Sequence, residues 1–167
     1  KVRELIRSEF FQYDDVSAEL RGLDACFFCL GVSSAGMAEP EYTRLTYDLT
    51  LAAANALCAL NPGMTFCYVS GEGTDSTERG RSMWARVKGK TENELMRLPM
   101  KSYMFRPGFI QPMNGIRSKT KLYQALYNVL GPFYPVLKRI FPKHVTTTVN
   151  VGRAMIEVAA NGFASRI

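Results

Sequence analysis

Two patterns alternate along this chain: short apolar runs of strand length, and longer stretches whose apolar positions recur with helical period. Asp24 to Leu30 has the composition of a buried strand and runs into Gly31. Glu41 to Leu60 is the clearest helix. Leu45, Leu49, Ala52, Ala53, Ala56, Leu57 and Leu60 keep the spacing of one face, and Asn61-Pro62-Gly63 stops it. Met64 to Val69 is a second buried strand, followed by the polar loop Ser70 to Ser76. Met83 to Leu98 has helical period, and Tyr103 to Arg106 forms a third apolar strand broken by Pro107-Gly108. Ahead of these, Glu4 to Arg7 is a first strand candidate and Asp14 to Arg21 a short helix closed by Gly22. Behind them, Thr146-Thr147-Thr148 offers an N-cap for a last helix carrying Val151, Ala154, Met155, Val158 and Ala159.

Strands with little alternation imply a sheet covered on both faces, and strands separated by helices imply parallel crossovers. The expected fold is therefore α/β: a doubly wound, mostly parallel sheet. In such sheets ligands lie beyond the carboxyl ends of the strands. Those ends are Leu30-Gly31-Val32, Ser70-Gly71 and Arg106-Pro107-Gly108, all small-residue or polar loops of the kind a bound cofactor requires.

The texture changes from about Thr120 to Phe141. An apolar stripe from Leu122 to Phe141 is interrupted by Gly131-Pro132 and flanked by Lys119, Lys121, Lys138, Arg139 and Lys143. Residues 118–145 are thus expected to be an insertion that caps a substrate cleft or contacts a partner, a second copy of the chain included. Packing on the domain's own sheet is the plainer reading, and a membrane surface the weaker alternative.

Composition narrows the picture further. With 167 residues and 47% hydrophobic positions, the chain suffices for one full-sized domain, 1–167. The first residues are charged and lack a signal peptide's apolar stretch, and no apolar run approaches a bilayer span. The net charge of +6 favours an anionic partner such as a nucleotide. Its scatter from Arg3 to Arg166, with no recognisable nucleic-acid motif, argues against DNA or RNA. Cys26 and Cys29 have C-x-x-C spacing, but on a strand an offset of three puts them on opposite faces. The expectation is four buried, reduced thiols, no metal and a cytoplasmic protein.

At the strand ends the sequence resembles a known family. Asp24-Ala25-Cys26-Phe27-Phe28-Cys29-Leu30-Gly31, Tyr68-Val69-Ser70-Gly71, Arg86-Val87-Lys88-Gly89-Lys90-Thr91-Glu92 and Phe105-Arg106-Pro107-Gly108 occur in the order and spacing of the atypical short-chain dehydrogenases. That group includes the Tat-interacting tumour-suppressor protein and nucleoside-diphosphate-sugar epimerase-like proteins. The resemblance implies a Rossmann-like domain binding NAD or NADP, with Leu30, Gly31, Val32, Ser70, Gly71, Lys88, Arg106, Pro107 and Gly108 around the cofactor. Nothing in the chain matches the family's glycine-rich phosphate loop. The implied domain therefore lacks its first βαβ unit.

The resemblance also implies a reaction group: a Tyr and a Lys four residues later on one helix, and a Ser ending the preceding strand. Lys88 matches the Lys and Ser70 the Ser, so these two are the catalytic candidates. Trp84 stands where the Tyr would be, four positions before Lys88 and on the same helical face. Indole cannot serve as acid or base, but it can stack on a nicotinamide or substrate ring. Gly71 stands where many members carry a second Ser. The expected function is an NAD(P)-binding module, non-catalytic or redox-sensing. The alternative is an NAD(P)-dependent epimerase or reductase using Lys88 with a substitute proton donor, such as Tyr42, Tyr47 or Tyr68. His144, the only histidine, is expected to have a structural or surface role.

Overall fold

A computed structural model describes residues 2–115 and 134–167. The expected insertion at 118–145 therefore lies outside the described residues over 118–133. The chain is a mixed α/β structure with parallel strands. Strands β1 (Ala25–Phe28), β2 (Thr65–Val69) and β3 (Lys101–Phe105) form one parallel sheet in that order. The register pairs Phe28 with Tyr68 and Val69 with Phe105. Parallel neighbours need crossovers, and helices supply both. The first is a continuous helical stretch of α1 (Glu39–Thr43), a π-helical turn (Arg44–Asp48) and α2 (Leu49–Leu60). The second is α3 (Met83–Arg97). A second, two-stranded parallel sheet joins β4 (Phe109–Gln111) to β5 (Val145–Thr147), between which lies α4 (Tyr134–Ile140). The last helix, α5 (Thr148–Asn161), is capped by Thr147, whose hydroxyl accepts from the Asn150 amide at 3.1 Å.

The core fills one face of the three-stranded sheet. Phe28, Phe66, Tyr68 and Met104 meet Leu49, Ala53, Leu57 and Leu95 from the crossover helices, and Phe28 stacks on Phe66 with ring centroids 5.7 Å apart. Burying each such ring contributes roughly 1.5–3 kcal/mol. Tyr103 and Phe105 alternate to the opposite face, where they line an apolar cavity of about 320 Å³ with Ala154 and Val158 of α5. The segment after α5 runs back along β3: the Met104 amide donates to the Arg166 carbonyl at 2.7 Å. One margin of the sheet is thereby covered. At the other margin, among the described residues, β1 pairs only with β2.

Several expectations need correction. Glu4 to Arg7 forms no strand; Arg7 instead spans the turn, donating to the carbonyls of Glu9 and Gln12. The Asp14–Arg21 helix is a single 3₁₀ turn, Asp14–Val16, followed by turns. Asp24 to Leu30 is not buried throughout. Only Phe28 is, while Phe27 and Leu30 stay 43% and 48% exposed, because no described element covers β1's outer margin. Cys58 and Cys67 are buried as expected, but Cys26 is half-buried and Cys29 exposed, and all four thiols are free. The first crossover helix starts two residues early, and Thr50, Ala54 and Cys58 add a buried stripe that apolar periodicity alone understates. Val136, Ile140 and Phe141, in the part of the 118–145 segment that is described, are exposed. No helix among the described residues is long and apolar enough to cross a membrane.

Candidate functional site at the carboxyl end of the sheet

Because β1, β2 and β3 are parallel, their carboxyl ends emerge on one side, and the three small-residue loops emerge with them. The Ser70 amide donates to the Phe105 carbonyl, and the Glu72 amide donates to the Pro107 carbonyl, both at 2.9 Å. These bonds extend the β2–β3 ladder into the loops. Gly71 adopts φ +141°, which side-chain-bearing residues rarely take, and this lets the strand break between the two bonds.

Helix α3 delivers three groups to this side. Lys88 donates from Nζ to the Ser70 carbonyl. Burial pushes its pKa below the usual lysine value, while the nearby Glu92 carboxylate partly offsets that. One turn on, Glu92 is fully buried. It accepts from the Ser70 hydroxyl at 2.5 Å and from Arg106 Nε at 3.1 and 3.2 Å to its two oxygens, and Arg106 Nη2 reaches it as well. The fork's far side donates to Ser76 Oγ. The Glu92 hydrogen bond holds the Arg106 pKa above the ordinary guanidinium value. Ser70, Glu92, Arg106 and Ser76 thus form a closed polar network tying β2, α3, β3 and the Ser70–Ser76 loop together. Ser70's hydroxyl is turned into that network and is buried.

One turn before Lys88, Trp84 is half-buried, its ring edge packed over Gly73, where a Cβ would sit 3.4 Å from Cη2. Trp84 and Lys88 line a polar recess of about 240 Å³ together with Val32, Ser33, Ser34 and Tyr42. The recess therefore joins the loop after β1 to α3 and α1. Tyr42 is 2% exposed. The other two tyrosines considered as proton donors serve elsewhere. Burial drives the Tyr68 phenol far above its usual pKa, with hydrogen bonds to Thr91 and Thr50 partly opposing it. The Tyr47 ring lies 4.4 Å beneath the Lys90 ammonium.

The strand-end residues divide by neighbourhood. Val32, Lys88 and Trp84 share the recess; Ser70 and Arg106 share the Glu92 network. Leu30 instead faces a separate apolar hollow along β1, with Phe10, Phe27 and Leu57, and a Cβ on Gly31 would meet nothing within 4 Å. Gly108 is required by close approach: a Cβ there would lie 2.4 Å from the His144 carbonyl oxygen and 2.3 Å from Glu72 Oε2. Periodicity and spacing missed Glu92 as the network's centre. They also missed the partner of His144, whose Nδ1 is hydrogen-bonded to Glu72 Oε1. That contact links positions 72 residues apart. Among the described residues no cluster could hold a metal ion.

No family model matches the chain. Over 100 residues it is 32% identical to leucinostatins biosynthesis cluster protein T of Purpureocillium lilacinum. That match covers 59% of this chain and 36% of the other, so it spans about a third of that protein's length.

Proposed function

We propose that the chain is the ligand-facing part of a doubly wound, Rossmann-like domain that binds NAD or NADP across the carboxyl ends of β1–β3. The observation that carries this reading is the position of Lys88. It stands between the ends of β1 and β2, anchored on the Ser70 carbonyl and exposed to the Trp84 recess. A cation held there suits the hydroxyls or phosphates of a nucleotide. Ser33 and Ser34 add hydroxyls, and the Trp84 ring offers a flat apolar face for a nicotinamide. The groups present fit the nicotinamide–ribose half of a dinucleotide. The phosphates lack the backbone cradle a glycine loop would give, so affinity for this chain should be weak.

On this reading α3 binds and does not react. Trp84 provides no ionisable proton at the position from which the resemblance takes one, and the Ser70 hydroxyl is spent on Glu92. The domain is then a cofactor-binding or redox-sensing module, unless a proton-transfer group comes from another element. The catalytic alternative, an epimerase or reductase with a substitute donor, is favoured by one observation, the Glu72–His144 pair beside the same loops.

Trp84 is the only tryptophan, so its emission reports the recess directly. Titration with NADPH is expected to quench it saturably in the millimolar rather than the micromolar range, and Lys88→Met should abolish saturation. Quenching that never saturates, or that Lys88→Met leaves unchanged, would reject the site.

A further inference from the structure

The cations of this chain are spread along its length, but the carboxylates are not. Between Glu94 and Glu157 there is no Asp or Glu, while ten Lys and Arg fall in the same stretch. Outside it, carboxylates outnumber cations by fifteen to eleven. The net charge of +6 therefore comes from one part of the sequence, an asymmetry that suits an acidic partner. Some of that stretch stands out into solvent. α4 and the turn after it present Val136, Ile140 and Phe141 with 54%, 61% and 51% of their surface exposed. Val136 and Ile140 are four apart and share a helical face. Lys138, Arg139 and Lys143 are exposed among them, and none pairs with a carboxylate among the described residues. The carboxylate that does reach the turn, Glu72, is taken up by His144. The presentation is fixed from beneath. The His144 amide closes the turn on the Phe141 carbonyl at 3.1 Å, and the His144 carbonyl accepts from the Phe109 amide of β4 at 2.8 Å.

A partner for this surface has to satisfy two demands at once. A nucleic acid would pair with the cations but leave Val136, Ile140 and Phe141 in water. An apolar protein groove would bury those three and strand the cations. A bilayer interface with anionic headgroups meets both demands: the apolar tips enter the acyl boundary, while Lys and Arg stay at headgroup level. We propose that Val136, Lys138, Arg139, Ile140, Phe141 and Lys143 form a docking surface for an anionic phospholipid membrane. The chain lies on such a membrane and does not cross it. None of these residues lines the Trp84 recess, so the docking is independent of what that recess binds.

Co-sedimentation of the full chain with phosphatidylcholine vesicles, made with and without phosphatidylserine, tests this. Binding should require phosphatidylserine and fall as salt rises. Lys138→Gln, Arg139→Gln and Lys143→Gln together should weaken it by about 10²-fold. With the cations intact, Ile140→Ser and Phe141→Ser together should weaken it by about tenfold or more. All five positions are exposed, so far-ultraviolet circular dichroism should not change. Insertion is read directly by Phe141→Trp in a Trp84→Phe background. Its emission should shift to the blue on the acidic vesicles and be quenched by lipid brominated along the acyl chain. Binding to neither vesicle, equal binding to both, or an emission that acidic vesicles leave unmoved would overturn the proposal. So would single-stranded RNA bound as tightly and insensitive to the two Ser substitutions, the signature of a nucleic-acid surface. A dimer in vesicle-free solution that Phe141→Ser dissociates would overturn it in favour of a second copy of the chain.

Discussion

Glu92 is fully enclosed, and the side chains of Ser70 and Arg106 both donate to its carboxyl. Removing one partner of such an arrangement is costly because the other is left uncompensated. Glu92→Ala should therefore lose about 3 kcal/mol of stability, the low end of that range, since Arg106 is a quarter exposed. Urea unfolding at neutral pH measures this. Lys88 makes stability depend on pH. Its folded pKa is depressed, so near that value the unfolded chain binds more protons than the native one, and stability rises with pH. The cost of burying the ammonium is present below the folded pKa and is relieved as pH climbs toward the ordinary 10.5. Relative to Lys88→Met, the wild type should thus gain stability across the alkaline range below 10.5, read from unfolding midpoints at successive pH values. A difference that stays flat or reverses would contradict the burial of Nζ.

Elements differ in how far the sequence exposes them. β2, β3 and the two crossover helices are legible because each buries a long or strongly periodic face. The three-residue strands β4 and β5 are not, since so short a segment carries no period and its partner lies far along the chain. Glu4–Arg7 carries two adjacent apolar residues that suggest a strand, yet Arg7 is drawn into local carbonyls. The strand-end loops followed from parallel topology, but the side chains that meet there did not. Glu92 sits in a helix as an ordinary polar residue, and only tertiary packing brings Arg106 to it. Gly89 illustrates the same limit. Within α3, replacing it by Ala should gain up to about 1 kcal/mol of helix propensity. The structure reverses that expectation, because a Cβ would stand 1.8 Å from the Asp75 carbonyl oxygen. Overpacking of this kind costs about 1–3 kcal/mol, so Gly89→Ala should destabilise. Gly152 in α5 has nothing within 4 Å of a Cβ, and Gly152→Ala should stabilise by about 1 kcal/mol. Thermal melts of the two variants should move in opposite directions.

At the scale of the molecule the two sheet margins are unequal. β3 is covered by the segment reaching Arg166, whereas β1 leaves Phe27 and Leu30 exposed beside a hollow of about 510 Å³. A strand edge that no described residue covers, flanked by apolar side chains, invites association with other chains. Phe27→Lys should lower light scattering of concentrated protein without lowering its melting temperature, as the ring it replaces is nearly half in water.

Every ladder among the described residues is parallel, and each joins segments a full crossover apart, as in Ala25 with Thr65, Thr65 with Lys101 and Phe109 with Val145. None of these described strands can find its neighbour through a tight hairpin, so loop closure precedes any reward from pairing. Diluted from denaturant, the chain should regain helical circular dichroism well before its sheet, and during that interval the apolar strands lie open to one another. Renaturation yield should then fall as chain concentration rises, even where the finished fold is stable.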